Sequence, residues 1–426
     1  MRWCHKLLLV LLTPFAAGAT EPSVGEEPLS LDAAVEQALR AAPQVDAQTA
    51  NVDAAEALSV SAGRLPDPEI VVGIDNLPVT GSDAYSTTQD FMTMRKVGVM
   101  QQFPRAEKRR LLHERAEAQA SFANAELVQT RLTIAMEVAQ AWIRRSTADT
   151  SLESLRALAP EFELHAAAAR ARVAAGRSST ADALAAEAAV AQLANRVLTT
   201  QGEARKAKLE LARWIDADAN RPLAPLPSFD QLPTPAPTLL ASVHEHASLL
   251  SFESRTEAAR IDVELAKAER RPDWSAELAF AKRGPEFSDM VSLEFRIGLP
   301  LATKYRQNPV IAARGAELRR VEADRETELR MHTAELRQML VEWELLGEQL
   351  DQYEKELIPL ARERSHASLA SYRAGRGDLR SALDAFAQEV DYVIERSELQ
   401  NARGRAWVYL RYLNPEHLAT AQRDEP

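Results

Sequence analysis

The sequence predicts an α+β membrane protein made of one unit written twice, a β-hairpin followed by a long antiparallel helical hairpin. Three observations predict it. The segment RVAAGRSSTADAL at 172–184 returns as SYRAGRGDLRSAL at 371–383. Two helical patterns run far longer than a compact core accommodates. Ahead of each stand two short segments in which apolar and polar residues alternate.

The chain opens MRWCHKLLLVLLTPFAAGA, with Arg2 and Lys6 before an apolar run from Leu7 to Leu12 and small residues at Ala17-Gly18-Ala19. This pattern predicts a secretory leader over 1–19, cleaved after Ala19. Its apolar run is well short of the ~20 residues that a spanning helix needs. Cys4, the only cysteine, leaves with the leader, so a mature chain has no disulfide framework and no thiol chemistry. The formal net charge is −11, and losing Arg2 and Lys6 makes it more negative still. That balance excludes nucleic acid as a partner, since such ligands demand a basic surface. No later segment is apolar for long enough to span as a helix, so any crossing must be made by strands.

With 15 glycines, 6% aromatic and 27% charged residues, the remainder reads as long helices rather than several compact domains. The organisation is a first repeat over 20–220, a proline-rich crossover linker over 221–237, a second repeat over 238–414 and a tail over 415–426. Helix is predicted from about Glu107 to Arg172, broken only by Pro160, and from about Val310 to Tyr372, broken only by Pro359. Each arm of roughly 60 residues is ~90 Å long at 1.5 Å per residue. Gly176 and Gly375 supply the left-handed residue that ends each arm. Ser179 and Asp378 then cap helices that return to about Trp214 and Tyr412.

The strands come in pairs. Val291, Leu293, Phe295, Ile297 and Leu299 alternate with polar residues, and Trp274, Ala276, Leu278 and Phe280 share a face of the preceding strand. The counterparts in the first half are PDPEIVVGIDNLP and FMTMRKVGVMQQFP, joined by a longer loop. Lengths of 9–12 residues suit tilted transmembrane strands, with Glu294 and Arg296 facing a wet lumen. A soluble half-buried sheet shows the same alternation; the leader and the absence of thiols favour the membrane. Four strands cannot close a barrel, which needs about eight at the least. The chain is therefore expected to associate, because open edges are unsatisfied in lipid.

These residues resemble the TolC-type outer membrane factors. LSLDAAVEQALRAAPQV (29–45) is similar to the family's opening helix, and the Ala-Gly-Arg corners look like its periplasmic tips. GRLPDPEIVVGIDNLPVTG with MRKVGVMQQFP resembles the subgroup serving heavy-metal resistance–nodulation–division pumps. The resemblance implies a homotrimer in outer-membrane lipid, with a twelve-stranded β-barrel on an α-helical periplasmic tunnel. It also implies a periplasmic adaptor and an inner-membrane pump as partners, and heavy-metal cations as cargo. The subgroup's lipidation cysteine after the leader is missing here. A soluble periplasmic coiled-coil scaffold or adaptor is the alternative.

Site expectations follow. No phosphate loop, zinc-protease motif or nucleophile elbow is present, so neither catalysis nor a cofactor is expected. His244 and His246 stand two apart, which on a helix points their rings apart and predicts solvated polar residues rather than a metal site. Met92, Met94 and Met100 share one strand face and read as apolar packing rather than Cu(I) ligands. Arg376-Gly377-Asp378 is read as a coincidental tripeptide. By the resemblance, Val173, Gly176, Arg177, Tyr372, Gly375, Arg376 and Asp378 receive the adaptor. Asp384 takes the position of a gate aspartate, with Ser381 and Asp182 at the related acid positions and Arg373 and Arg380 as closing partners.

Overall fold

The computed structural model describes residues 27–413 and Pro415. The expected leader and nearly all of the expected tail lie outside these residues. Helices α1 (Leu31–Ala41) and α2 (Pro43–Ser61) lead into strands β1 (Glu69–Asp75) and β2 (Met94–Phe103). Helix α3 (Ala106–Ala174) then turns into α4 (Thr180–Ile215). The second half repeats the order: α5 (Ala236–Ala241), α6 (Ala247–Ala268), β3 (Trp274–Lys282), β4 (Met290–Ile297), α7 (Gln307–Gln352), α8 (Ile358–Arg373) and α9 (Leu379–Arg411).

At 69 residues, α3 is the long axis of the molecule, ~100 Å at 1.5 Å per residue. Its side chains alone do not make one apolar stripe, because α1, α2, α4, α6 and α9 pack on different faces along its length. Pro160 does not break it. An interior proline costs about 3 kcal/mol locally, and here Leu158 and Phe162 on either side are buried against Leu193 of α4 and Phe386 of α9. Tertiary packing overrides the local preference. In the second repeat the interruption is real but gentle: Tyr353–Leu357 form one π-helical turn, and Pro359 falls in the first turn of α8. The π turn lets the chain stay helical past the proline.

Midway along the bundle sits the main core, built from Trp142, Val138, Ala135, Leu211 and Val408 around α1. Two indoles staple the linker to it and a third holds the residue before α1. Trp142 Nε1 donates to the carbonyl of Leu29 (3.1 Å), Trp343 to Phe229 (2.9 Å) and Trp407 to Gln231 (2.9 Å). Arg145 donates to the carbonyls of Ala219 (2.7 Å) and Arg221 (2.8 Å), so an otherwise irregular segment has its backbone satisfied. His246 corrects an expectation here. It caps α6 rather than lying in solvent, and its ring packs 4.1 Å from that of His332. His244 is the exposed member, 3.7 Å from Glu245.

At one end the four strands form a single antiparallel sheet in the order β1-β2-β3-β4, with β1 and β4 as open edges. The register places Val72 opposite Val97, Val97 opposite Phe280, and Phe280 opposite Val291, so one apolar face runs across both hairpins. That face is bare: Val72 is 76% exposed, Leu278 57% and Leu293 62%. Met94 and Met100 lie on the other, polar face beside Lys96, while Met92 precedes the strand; the methionines do not form a common apolar strip.

Candidate functional site at the helical tips and sheet lumen

The end opposite the sheet is made of two corners. Each helix ends where a glycine takes a left-handed φ, 65° at Gly176 and 74° at Gly375, as only glycine does without strain. Arg177 N then bonds the carbonyl of Arg172 (2.8 Å), and Arg376 N that of Ser371 (2.9 Å), closing matching Schellman-type turns. Ser179 and Asp182 cap α4 reciprocally. The Ser178 hydroxyl and the Ser179 backbone hold the Asp182 carboxyl below its ordinary range. Asp378 caps α9, accepting from Ser381 N (2.8 Å) and Ser381 Oγ (2.9 Å), and these bonds lower its pKa likewise.

The corners are tied to each other. Arg172 Nη1 donates to the carbonyl of Tyr372 (2.7 Å) while its guanidinium covers the Tyr372 ring at 4.7 Å. Just behind them His165 is buried edge-on to Phe386 (4.1 Å) without a hydrogen-bond partner for either nitrogen. Burial, reinforced by the charges of Arg373 and His366, pushes its pKa down to about 4. Between α4 and α9 runs a groove of about 530 Å³ lined by Asp182, Arg196, Leu383, Asp384, Arg380 and Asp391. Arg196 bridges it to Asp391 at 3.3 Å. Asp384 projects into this groove with no ion-pair partner among the described residues.

On the sheet, the polar face carries a charged ladder. Arg296 reaches Glu294 (2.7 Å) and Glu277 (2.8 Å), and Lys96 reaches Glu277 (3.1 Å) and Asp75 (3.7 Å). Glu277, only 4% exposed, is the hub. A buried carboxylate persists because two cations and their hydrogen bonds satisfy it.

The sheet thus carries one bare apolar face and one charged polar face at the end of a long helical bundle. Residues 34–215 match the family profile described as outer membrane efflux protein. The first repeat of the chain thus carries that family's profile. Solved structures of outer membrane proteins and channels share the fold across nearly the whole chain. VceC from Vibrio cholerae superposes with a TM-score of 0.75 at 20% identity, over 90% of this chain and 95% of that one. CusC gives 0.77 at 15% identity, over 90% and 92%. The open state of MtrE from Neisseria gonorrhoeae gives 0.70 at 16%, over 90% and 89%. No curated protein matches the chain by sequence.

Outer membrane efflux proteins are homotrimeric transport ducts that reach into the periplasm and work with adaptors and inner-membrane pumps. In this chain the structure gathers Asp182, Arg380 and Asp384 in one groove. It sends two of the expected gate residues elsewhere: the Ser381 hydroxyl is spent on Asp378, and Arg373 is exposed outside the groove, facing His165 electrostatically. At the corners Gly176, Arg177, Gly375, Arg376 and Asp378 are exposed and Val173 is half-buried, but Tyr372 is 3% exposed and serves as a floor. Glu294 and Arg296 lie together on the polar face, as the strand alternation predicts. Sequence reading missed Arg172, Arg196, Asp391, Lys96 and Glu277. The alternation that located Glu294 also marks Glu277 and Lys96, whereas the helix-borne residues carry no local signal.

Proposed function

We propose that three copies pool four strands each into a twelve-stranded barrel standing on a helical tunnel. In this reading the chain is the passive outer-membrane exit duct of a tripartite efflux system. The observation that carries it is the sheet itself, with one continuous apolar face bare to solvent and both edges open. In lipid the bare face is satisfied, and joining edge to edge satisfies the backbone. A soluble scaffold would leave both faults uncorrected. The N-terminal segment 1–19 serves as the export leader in this account.

The tips bear the adaptor, with Arg177 and Arg376 offering directional donors at exposed turns. Val173, Gly176, Gly375 and Asp378 shape those turns. The groove between α4 and α9 is the gate, and Asp384 its charged element. Three copies of Asp384 around a threefold axis repel unless paired across subunits or bound to a cation. A resistance–nodulation–division pump supplies the cargo, for which heavy-metal cations are supported by the resemblance of the β1 and β2 segments.

Extraction in mild detergent, followed by electrophoresis with and without heating, tests the assembly. A heat-modifiable trimer that gives a single-channel conductance in planar bilayers is the expected result. Recovery of the mature chain from the soluble periplasm as a monomer refutes it.

A further inference from the structure

Where the apolar face ends, two cations stand directly opposite one another. Arg95 pairs with Lys282 across β2 and β3, and Arg95 pairs with Ile74 across β1 and β2. Both cations share the face of Val97, Phe280 and Val291, the bare apolar face, and not the polar face of Lys96 and Glu277. Like charges directly opposite in a sheet repel and destabilise the pair. No carboxylate of the described residues forms an ion pair with either cation. Of the acids nearby, Asp75 approaches Lys96 on the opposite face, Asp90 accepts from Met92 N and Thr93 N, and the exposed Asp289, next to the Met290 that faces Ala281, makes no ion pair with Lys282. Arg283, the next residue, has its guanidinium spent on the carbonyls of Phe91 and Ser288. It clamps the two loops, and Arg95 Nη2 donates to the carbonyl of Arg283 (3.2 Å), which leaves the other Arg95 N–H groups and the Lys282 ammonium in the open.

The position of the pair matters as much as its charge. β2 and β3 are the inner strands of the sheet, so edge-to-edge assembly of copies leaves this surface uncovered. Arg95 and Lys282 stand at the loop end, away from the helices. At the helix end the same face is bounded by Trp274, stacked on Phe103 (4.2 Å) and near Phe295 (6.2 Å), the girdle expected at a membrane interface. Between girdle and cations β3 rises ~27 Å at ~3.4 Å per residue. At a strand tilt of about 40° this is ~20 Å of bilayer, close to the apolar band of an outer-membrane barrel.

We infer that Arg95 and Lys282 form a binding site for the phosphate of an outer-leaflet glycolipid, whose acyl chains lie on Phe280, Val97 and Val291. A single oxyanion between the two cations removes their mutual repulsion and gains charge-assisted hydrogen bonds from both. The apolar residues immediately below favour an amphipathic lipid over a free anion. The inference rests on the proposed barrel, which sets this face toward lipid and the loop end outward.

The test uses the full-length trimer, freed of lipid in detergent, with native mass spectrometry as the readout. Probes are lipid A carrying both phosphates, its dephosphorylated form and inorganic phosphate. Wild type is expected to hold diphosphorylated lipid A at least roughly tenfold more tightly than the Arg95→Gln/Lys282→Gln double variant, since bonds to charged groups are the strong ones. Lys304→Gln, an exposed cation at the helix end, is expected to bind like wild type. Dephosphorylated lipid should bind wild type only as well as lipid A binds the double variant, and millimolar phosphate should not displace lipid A. Equal retention by wild type and double variant, or equal retention of the dephosphorylated form, overturns the site. Displacement by inorganic phosphate overturns its assignment to lipid. The same preparation is checked for heat-modifiable migration: without a trimer the barrel reading fails, whereas a sound trimer that shows no discrimination refutes the lipid site alone.

Discussion

Arg172 Nη1 donates to the main-chain carbonyl of Tyr372 at 2.7 Å, and the same guanidinium lies 4.7 Å from the centre of the Tyr372 ring. One side chain of the first repeat thereby locks the corner of the second. Arg172→Ala leaves a shielded carbonyl unpaired and removes a tie of about 1.5–3 kcal/mol. The expected outcome is a larger or more frequent open conductance in planar bilayers with the trimer intact. Tyr372→Phe keeps both the carbonyl and the ring and should behave as wild type. Identical closure in Arg172→Ala and wild type would remove this tie from the gate.

The glycine corners separate backbone strain from docking. A Cβ at Gly176 meets nothing within 4 Å, and one at Gly375 meets only the Arg172 guanidinium at 3.8 Å, so alanine at either position suffers from φ alone. Each glycine-to-alanine change should cost about 1–2 kcal/mol, read as a lowered melting temperature with transport retained. Arg376→Glu should instead leave melting unchanged and abolish efflux with the cognate pump and adaptor. Normal resistance in cells carrying Arg376→Glu would rule out a docking role.

Asp384 faces the groove without an ion-pair partner among the described residues, unlike Asp391, which pairs with Arg196. Asp384→Asn should weaken block of the conductance by divalent or trivalent cations by roughly tenfold, because it deletes one charge per copy from the proposed gate. Arg196→Gln removes an exposed pair worth at most about 1 kcal/mol and should change stability little. Unaltered cation block in Asp384→Asn counts against the gate assignment.

The two faces of the sheet should respond oppositely to charge. Leu293→Arg puts a cation on the apolar face, at a cost of about 2–4 kcal/mol near mid-bilayer, and should deplete the heat-modifiable trimer from outer membranes. Glu294→Gln, on the polar face, should leave assembly intact and shift the cation-to-anion permeability ratio toward anions. Equal loss of trimer in both variants would show that neither face touches lipid.

Acid should loosen the tips. His165 has its pKa pushed from the usual 6.5 to about 4 by burial and by Arg373 and His366. Between those values the unfolded chain binds a proton that the folded chain refuses, so stability is full above about pH 6.5 and falls as pH drops toward 4. The loss is on the order of 2–3 kcal/mol. His246, similarly lowered by burial and by His332, adds a fall in the same window at the start of α6. Melting temperatures of His165→Phe should be flatter between pH 6.5 and 4 than those of wild type; parallel curves would exclude His165 as a source.

What the sequence determined by itself is everything governed by neighbours along the chain. Period-two alternation located all four strands and, with them, the faces of Glu294 and Arg296, because side chains alternate across a strand whatever lies beyond it. The glycine and its following cap located both corners, because a left-handed residue and a capping oxygen are local needs. Tertiary structure decided what depends on residues far apart. Pro160 stays inside an unbroken α3 because Leu158 and Phe162 are held by α4 and α9. His246 is half-buried, with the His332 ring of α7 packed 4.1 Å from its own. Arg172 finds the Tyr372 carbonyl, and Asp182 comes to share a groove with Asp384, only when the two repeats fold side by side. Local patterns fix dihedrals and faces; the partners of a long helix are chosen by whichever helices pack along it, and no spacing within one segment records that choice.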